Sequence, residues 1–235
     1  MILTLLAVAV LCASIAVLWW CSRLLVPSPI TDAVMASPDC TDPDLLQRAQ
    51  SAFDDICTRA KIFGPTLRVV DTPTINGYAQ SGLNPKVTVT TGIVRACSDS
   101  ALRALIAHEL GHILARHVRV ETRSYNLAFG AMAAAYVGVF ALWMTLLFVR
   151  DPLVVGGVAA TVALLSAHMV LRCSQYSRRS RTHEYEADLV AVKLAGVEAF
   201  DDLSRVLSSY EKWRSPSFLR SHPRWRQRRS IHGLS

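Results

Sequence analysis

His108-Glu109-Leu110-Gly111-His112 sets two imidazoles and a carboxylate in a spacing that suits one chemistry. On an α-helix, His108 and His112 leave the same face one turn apart, so a nitrogen from each can grip one Zn²⁺. Glu109, beside them, can reach a water at such a metal. Metal, water and general base together are the minimum for hydrolysing a peptide bond.

A catalytic zinc takes three protein ligands and keeps one position open. A third histidine shortly after a glycine, as metzincins have, is not supplied: Val118 stands at that spacing and His117 is one residue off. On an ideal helix His117 points about 100° away from that direction, so a supporting or structural place is expected for it. The better third ligand is an acid on a later helix. In Glu184-Tyr185-Glu186-Ala187-Asp188, Glu184 and Asp188 share a helix face one turn apart, while Glu186 points elsewhere. One of the pair can bind the metal while the other hydrogen-bonds a ligand imidazole and fixes its tautomer.

These residues need a scaffold, and the pattern around them supplies one. Ser98, Asp99 and Ser100 offer N-caps for the His-Glu-x-x-His helix, and Leu102, Leu105, Ile106, Leu110, Ile113 and Leu114 give it a buried stripe. Upstream, Asp42 or Asp44 can cap a helix through Leu45, Phe53 and Ile56, ended by Gly64-Pro65. Thr66–Val70 and Lys86–Thr91 alternate and are β-rich, so both are expected as strands, the second ended by Gly92. Lys86–Thr91 is a candidate edge on which an extended substrate could add a strand. A further helix is expected over about 199–213.

The chain of 235 residues has a mean hydropathy of +0.30 and a formal net charge of +7, so apolar and charged residues must be segregated. They are. Ile2–Cys21, Tyr125–Val149 and Leu153–Leu171 carry no charged residue, and each is about long enough to cross a bilayer as a helix. The first, followed by Arg23 and with no Lys or Arg before it, is expected to be a retained signal anchor. The other two, joined by Arg150-Asp151-Pro152, are expected to form a helical hairpin in which Gly156-Gly157 permits close packing. Two crossings return the chain to its starting side, so His108, His112 and Glu184 can share a compartment. Eleven Lys and Arg lie between the first and second apolar runs and thirteen follow the third, against Arg150 alone in the turn. The excess of basic residues puts the catalytic segments in the cytoplasm. No nucleic-acid motif accompanies the basicity. The six cysteines form no metal spacing and are expected as free thiols.

Taken in order, Asn76-Gly77-Tyr78-Ala79, Asn84-Pro85, a strand ending in Thr90-Thr91-Gly92, His108-Glu109-Leu110-Gly111-His112 and Glu184-Tyr185-Glu186-Ala187-Asp188 resemble the HtpX-like membrane zinc metalloproteases, relatives of the CAAX prenyl proteases. The resemblance covers roughly residues 66–230. It implies one Zn²⁺ per chain with Glu184 as third ligand, Asp188 behind His108 or His112, and Asn76 positioning substrate beside the metal. Ser221-His222-Pro223 with Arg228 looks like that family's C-terminal motif, by which His222 would act in catalysis and Arg228 would bind substrate or hold the site closed. Tyr78 stands where Phe is common, and one apolar run precedes the catalytic segments where the family usually has two. Three runs are too few to enclose the intramembrane chamber of prenyl proteases, so that processing role is not expected.

The expected fold is mainly α with a small β-sheet (α+β), a zincin-like gluzincin domain with transmembrane helices. Its order is an anchor at 1–26, a linker at 27–44, a first catalytic half at 45–124, the hairpin at 125–171, and a second catalytic half with a basic tail at 172–235. The expected function is zinc-dependent endoproteolysis of misfolded or damaged membrane and cytoplasmic proteins, in stress response, at the cytoplasmic membrane. Its partners are then protein or peptide substrates and the lipid bilayer, and no nucleic acid. The alternative is a zinc-binding membrane scaffold or holdase without proteolysis.

Overall fold

The structure is a computed structural model that describes residues 2–25, 34, 36–80, 82–149, 151–210, 223–231 and 233. It is mainly helical with one three-stranded sheet. The elements are α1 (Ile2–Leu25), α2 (Pro43–Ala60), β1 (Thr66–Val70), β2 (Gly77–Gln80), β3 (Lys86–Thr90), α3 (Thr91–Ala96), α4 (Asp99–Leu114), α5 (His117–Phe148), α6 (Pro152–Ala195), α7 (Val197–Ser209) and α8 (Trp225–Ile231). The chain divides into two units, one from residues within 1–27 and 121–179, the other from 28–120, 180–217 and the C-terminal segment.

The first unit is built from α1 and the apolar lengths of α5 and α6. Leu18, Cys21, Ala128, Met132, Ala135, Met169 and Cys173 form one buried cluster. Ala7, Leu142, Val155, Ala159 and Val162 form another. Ser14 and Ser166 hydrogen-bond each other at 3.0 Å inside the unit, while Val137, Phe140, Trp143, Phe148, Leu153 and Leu164 face outward. Large apolar side chains on the outside, over an interior that is itself mostly apolar, depart from the usual surface of a water-soluble domain. Residues Arg123–Phe148 and the helix Pro152–Ala195 are long and apolar enough to cross a membrane, the apolar part of the latter ending near Leu171. In α1 the described apolar stretch, Leu5–Trp19, is shorter. The glycine of closest helix approach is Gly138, where a Cβ would stand 3.0 Å from Leu165 Cδ1. At Gly157, expected from the sequence to serve packing, a Cβ would meet nothing.

In the second unit α2 starts where Asp42 accepts from the Asp44 and Leu45 amides at 3.1 and 3.3 Å. It stops at Lys61 in the left-handed region (φ 54°), before the expected Gly64-Pro65. The sheet order is β1-β3-β2, with β3 parallel to β1 and antiparallel to β2. This corrects the expectation for Lys86–Thr91: it is the central strand, paired on both sides, and no substrate can add to it. Its Thr-Val alternation suggests one wet face, yet Thr88 and Thr90 are as fully buried as Val87 and Val89, as strands covered on both faces are. The outer side of β1 is bridged at Val70 by Asp39, with the Cys40 amide donating to the Val69 carbonyl at 2.8 Å, so among the described residues β2 is the edge strand without a further strand partner.

The strand does not simply end at Gly92 either. Thr90 caps the short helix α3, its hydroxyl accepting from the Ile93 amide at 3.2 Å. Gly92 passes so close to the 73–74 main chain that a Cβ would stand 2.3 Å from the Pro73 carbonyl oxygen. Ser98 then caps α4 by accepting from the Ala101 amide at 3.1 Å. That helix is buried on nearly all sides from Ala101 to Gly111 rather than along one stripe, and Leu114, expected in the stripe, is half exposed. It packs against α2, α7 and β2, around a core of Phe53, Ile56, Leu102, Ile106, Leu110, Phe200 and Leu203. At Arg116 the backbone turns left-handed (φ 56°), which separates the end of α4 from the start of α5 at His117. Gly196 (φ 98°) turns the chain between α6 and α7.

Candidate metal centre

His108 and His112 come from the buried middle and end of α4, and Glu184 from the C-terminal part of α6. His108 Nε2 stands 3.2 Å from His112 Nε2 and 3.6 Å from Glu184 Oε2; His112 Nε2 is 3.5 Å from Glu184 Oε1. Three donors at the usual Zn–N and Zn–O bond lengths and tetrahedral angles stand about 3.3 Å apart, so this triangle has the right size for zinc. Two imidazoles and one carboxylate are also the donor set of a catalytic rather than a structural zinc. Among the described residues these three form the group able to hold a metal ion.

Helix packing produces this meeting. A Cβ on Gly111 would lie 3.0 Å from Ala187 Cα and 3.2 Å from Val190 Cβ. The missing side chain lets α4 and α6 approach until Glu184 and Asp188, one turn apart, both face the histidines. Asp188 is fully buried, and its Oδ1 is 3.0 Å from His108 Nδ1. The resemblance left open which histidine it stands behind, and in the structure it is His108. A neutral His108 that donates from Nδ1 to Asp188 keeps the Nε2 lone pair for a metal.

Arg228, on α8, is buried as well. Its Nε donates to Asp188 Oδ2 at 2.7 Å, its Nη2 to Asp188 Oδ1, and its Nη1 lies 3.1 Å from Glu184 Oε2. The guanidinium carbon sits 3.6 Å from the centre of the Trp225 ring, a cation–π stack. Burial alone would push the Asp188 carboxyl up. The hydrogen bonds from Arg228 and His108 and their charge outweigh it and hold the carboxyl below its ordinary range. Burial likewise works against the Arg228 charge, but Asp188, Glu184 and Glu109 keep the guanidinium more firmly protonated than usual. Arg228 thus ties together Glu184 and Asp188.

Glu109 is buried next to His108. No described residue donates a hydrogen bond to its carboxylate. The β2 strand begins beside it: a Cβ on Gly77 would lie 3.3 Å from Glu109 Oε1. Asn76, just before β2, donates from its amide to Tyr78 Oη at 2.7 Å and accepts from the Gly77 amide at 2.9 Å. His222 lies outside the described residues.

His117 has the supporting place expected for it, through contacts that its spacing did not reveal. His117 is buried, with its Nδ1 3.2 Å from His112 Nδ1 and its Nε2 2.7 Å from Glu186 Oε2, and it stacks on His183 with ring centres 4.2 Å apart. Burial, ahead of the raising effect of Glu186, pushes the His117 pKa down. The expectation placed His117 by extending one ideal helix; the break at Arg116 resets its direction. Glu186, expected to point away, is its partner.

Residues 43–231, most of the chain, match the model of peptidase family M48. The chain belongs to peptidase family M48. Its relatives include a "Protease HtpX homolog" of Thermococcus sibiricus, 32% identical over 60% of this chain and 49% of that protein. A second, of Acidiphilium cryptum, is 29% identical over 72% of this chain and 61% of that protein. A third, of Burkholderia thailandensis, is 36% identical over 34% of this chain and 28% of that protein. The chain is therefore an HtpX-like member of M48, a metallopeptidase family that is typically zinc-dependent. It spans about half to three fifths of the length of the first two of these relatives.

Proposed function

We propose that this M48 chain is a membrane-anchored zinc-dependent endopeptidase. The observation that carries the proposal is the zinc-sized triangle of His108, His112 and Glu184 with the Glu109 carboxylate beside it. Held there, Zn²⁺ would polarise a scissile carbonyl and make a water acidic enough to attack at neutral pH. Glu109 takes the proton of the attacking water and delivers it to the leaving amine. Asp188 fixes the tautomer of His108, and Arg228 holds Asp188 and Glu184 in register. The outer edge of β2, which starts beside Glu109, takes an extended peptide as an added strand through main-chain hydrogen bonds, with Asn76 at its head. Such binding reads backbone more than side chain and suits clearance of misfolded or damaged membrane and cytoplasmic proteins.

The outward apolar faces of α5 and α6 support anchoring in a bilayer by the hairpin, with α1 as a further anchor. The distribution of Lys and Arg along the chain supports a multi-pass protein of the cytoplasmic membrane whose site faces the cytoplasm.

The deciding experiment uses the full chain in detergent with casein as substrate. Wild type should cleave casein, lose activity to a chelator and regain it with Zn²⁺. Glu109→Gln should keep its zinc and lose cleavage. Undiminished cleavage by the Glu109→Gln variant would overturn the mechanism.

A further inference from the structure

A metal-binding imidazole has two nitrogens, and the one that does not face the metal must also be held. For His108 that partner is the carboxylate of Asp188. For His112 it is another imidazole. His112 Nδ1 faces His117 Nδ1 at 3.2 Å, and the far nitrogen of His117 faces Glu186 Oε2 at 2.7 Å. We propose that Glu186 and His117 form a relay that positions His112 and fixes its tautomer. The inference rests on the reading of His112 as a zinc ligand.

The chain of contacts admits one consistent set of neutral tautomers. Ionised Glu186 can only accept, so His117 donates to it from Nε2. His117 Nδ1 is then a lone pair, and His112 must donate to it from Nδ1. That leaves the His112 Nε2 lone pair pointing at His108 and Glu184, where a metal ligand needs it. Each hydrogen bond polarises the next, so the hold on His112 is strengthened by a carboxylate one ring away.

The surroundings suit a fixed relay. His183, one turn before Ala187 on α6, stacks on the His117 ring at an interplanar angle of 9° and sets its plane. His117 is buried, whereas the Glu186 side chain is about half exposed. The relay therefore runs from a surface carboxylate through a buried ring to a partly buried ligand, and its outer end can be altered without disturbing the core. The two histidine ligands are held differently: His108 directly by a buried acid, His112 through an intervening ring.

The test measures zinc affinity of the full chain in detergent by competition with a chromophoric chelator. Glu186→Ala removes the terminal acceptor. His117→Phe keeps the ring and the stack on His183 but removes the acceptor for His112. Both should weaken zinc binding by about ten-fold or more, the low end of what loss of an outer partner costs a metal site. His117→Gln should recover most of the loss, because its amide can accept from His112 and donate to Glu186. The metal-free Glu186→Ala protein should melt at the wild-type temperature, which separates positioning from folding. Wild-type affinity in both Glu186→Ala and His117→Phe, or zinc binding by His117→Gln as weak as that by His117→Phe, would overturn the relay. A wild-type protein that binds no zinc would instead overturn the metal centre, and the relay with it.

Discussion

Gly111 lies against the main chain of Ala187, where a Cβ would stand 3.0 Å from Ala187 Cα. This contact sets the spacing between the helix that carries His108 and His112 and the helix that carries Glu184 and Asp188. Gly111→Val places branched carbons where backbone already stands. Overpacking of this kind costs about 1–3 kcal/mol, and here it also pushes Glu184 away from His108 and His112. The expected outcome is a lower thermal midpoint together with weaker zinc binding, the second loss exceeding that of an equally destabilised variant elsewhere in the core, such as Ile56→Val.

Gly92 poses a harder steric problem. A Cβ there would stand 2.3 Å from the Pro73 oxygen and 2.5 Å from the Thr74 oxygen. Gly92→Ala must therefore move the segment that leads into Asn76 and β2. A destabilisation of about 3 kcal/mol, at the upper end for overpacking, is expected from chemical denaturation, with impaired peptide cleavage wherever the variant remains folded.

Asp188 and Arg228 form a buried pair, so each alone is a liability. Removing one partner of a buried ion pair typically costs about 3–5 kcal/mol. Arg228→Met should lose that much because it strands Asp188, and Asp188→Asn should do the same from the other side. Asp188→Asn should also lower zinc affinity by about ten- to a hundred-fold, because the carboxylate it removes contacts His108 at Nδ1. Equal zinc affinities for Asp188→Asn and wild type would contradict the role assigned to this carboxylate.

Cys97 offers a probe of the core beside α4. Burial, then the charge of Asp202, pushes its thiol up to about 12. Because only the thiolate is nucleophilic, Cys97 should resist iodoacetamide at pH 8 in the folded protein and react once denaturant opens the core. Peptide mapping after alkylation reads both states. Labelling of Cys97 in the folded protein would contradict the packing of α4 on α2.

What the sequence could reveal followed from periodicity. His108 and His112 one turn apart, and Glu184 and Asp188 one turn apart, were legible because helices put such pairs on one face. Capping by Asp42 and Ser98 was legible for the same local reason. The central place of β3 was not, because Thr88 and Thr90 read as polar residues and nothing local says that a second layer covers them. A supporting place for His117 was legible, but its contact with His112 was not, because a left-handed residue at Arg116, which has no Gly or Asn to announce it, breaks the helix between the two histidines. Arg228 was found through a family motif alone; its burial against Asp188 depends on contacts 40 residues apart in sequence.

The order of the elements has a consequence for synthesis. His108, Glu109 and His112 leave the ribosome well before Glu184, and both long apolar helices are translated in between. A growing chain therefore carries the general base and two metal donors without the third, and Arg228 arrives later still. Under the proposed reading, proteolytic competence appears only after the membrane hairpin has been made, so a partly synthesised chain cannot digest its neighbours before insertion.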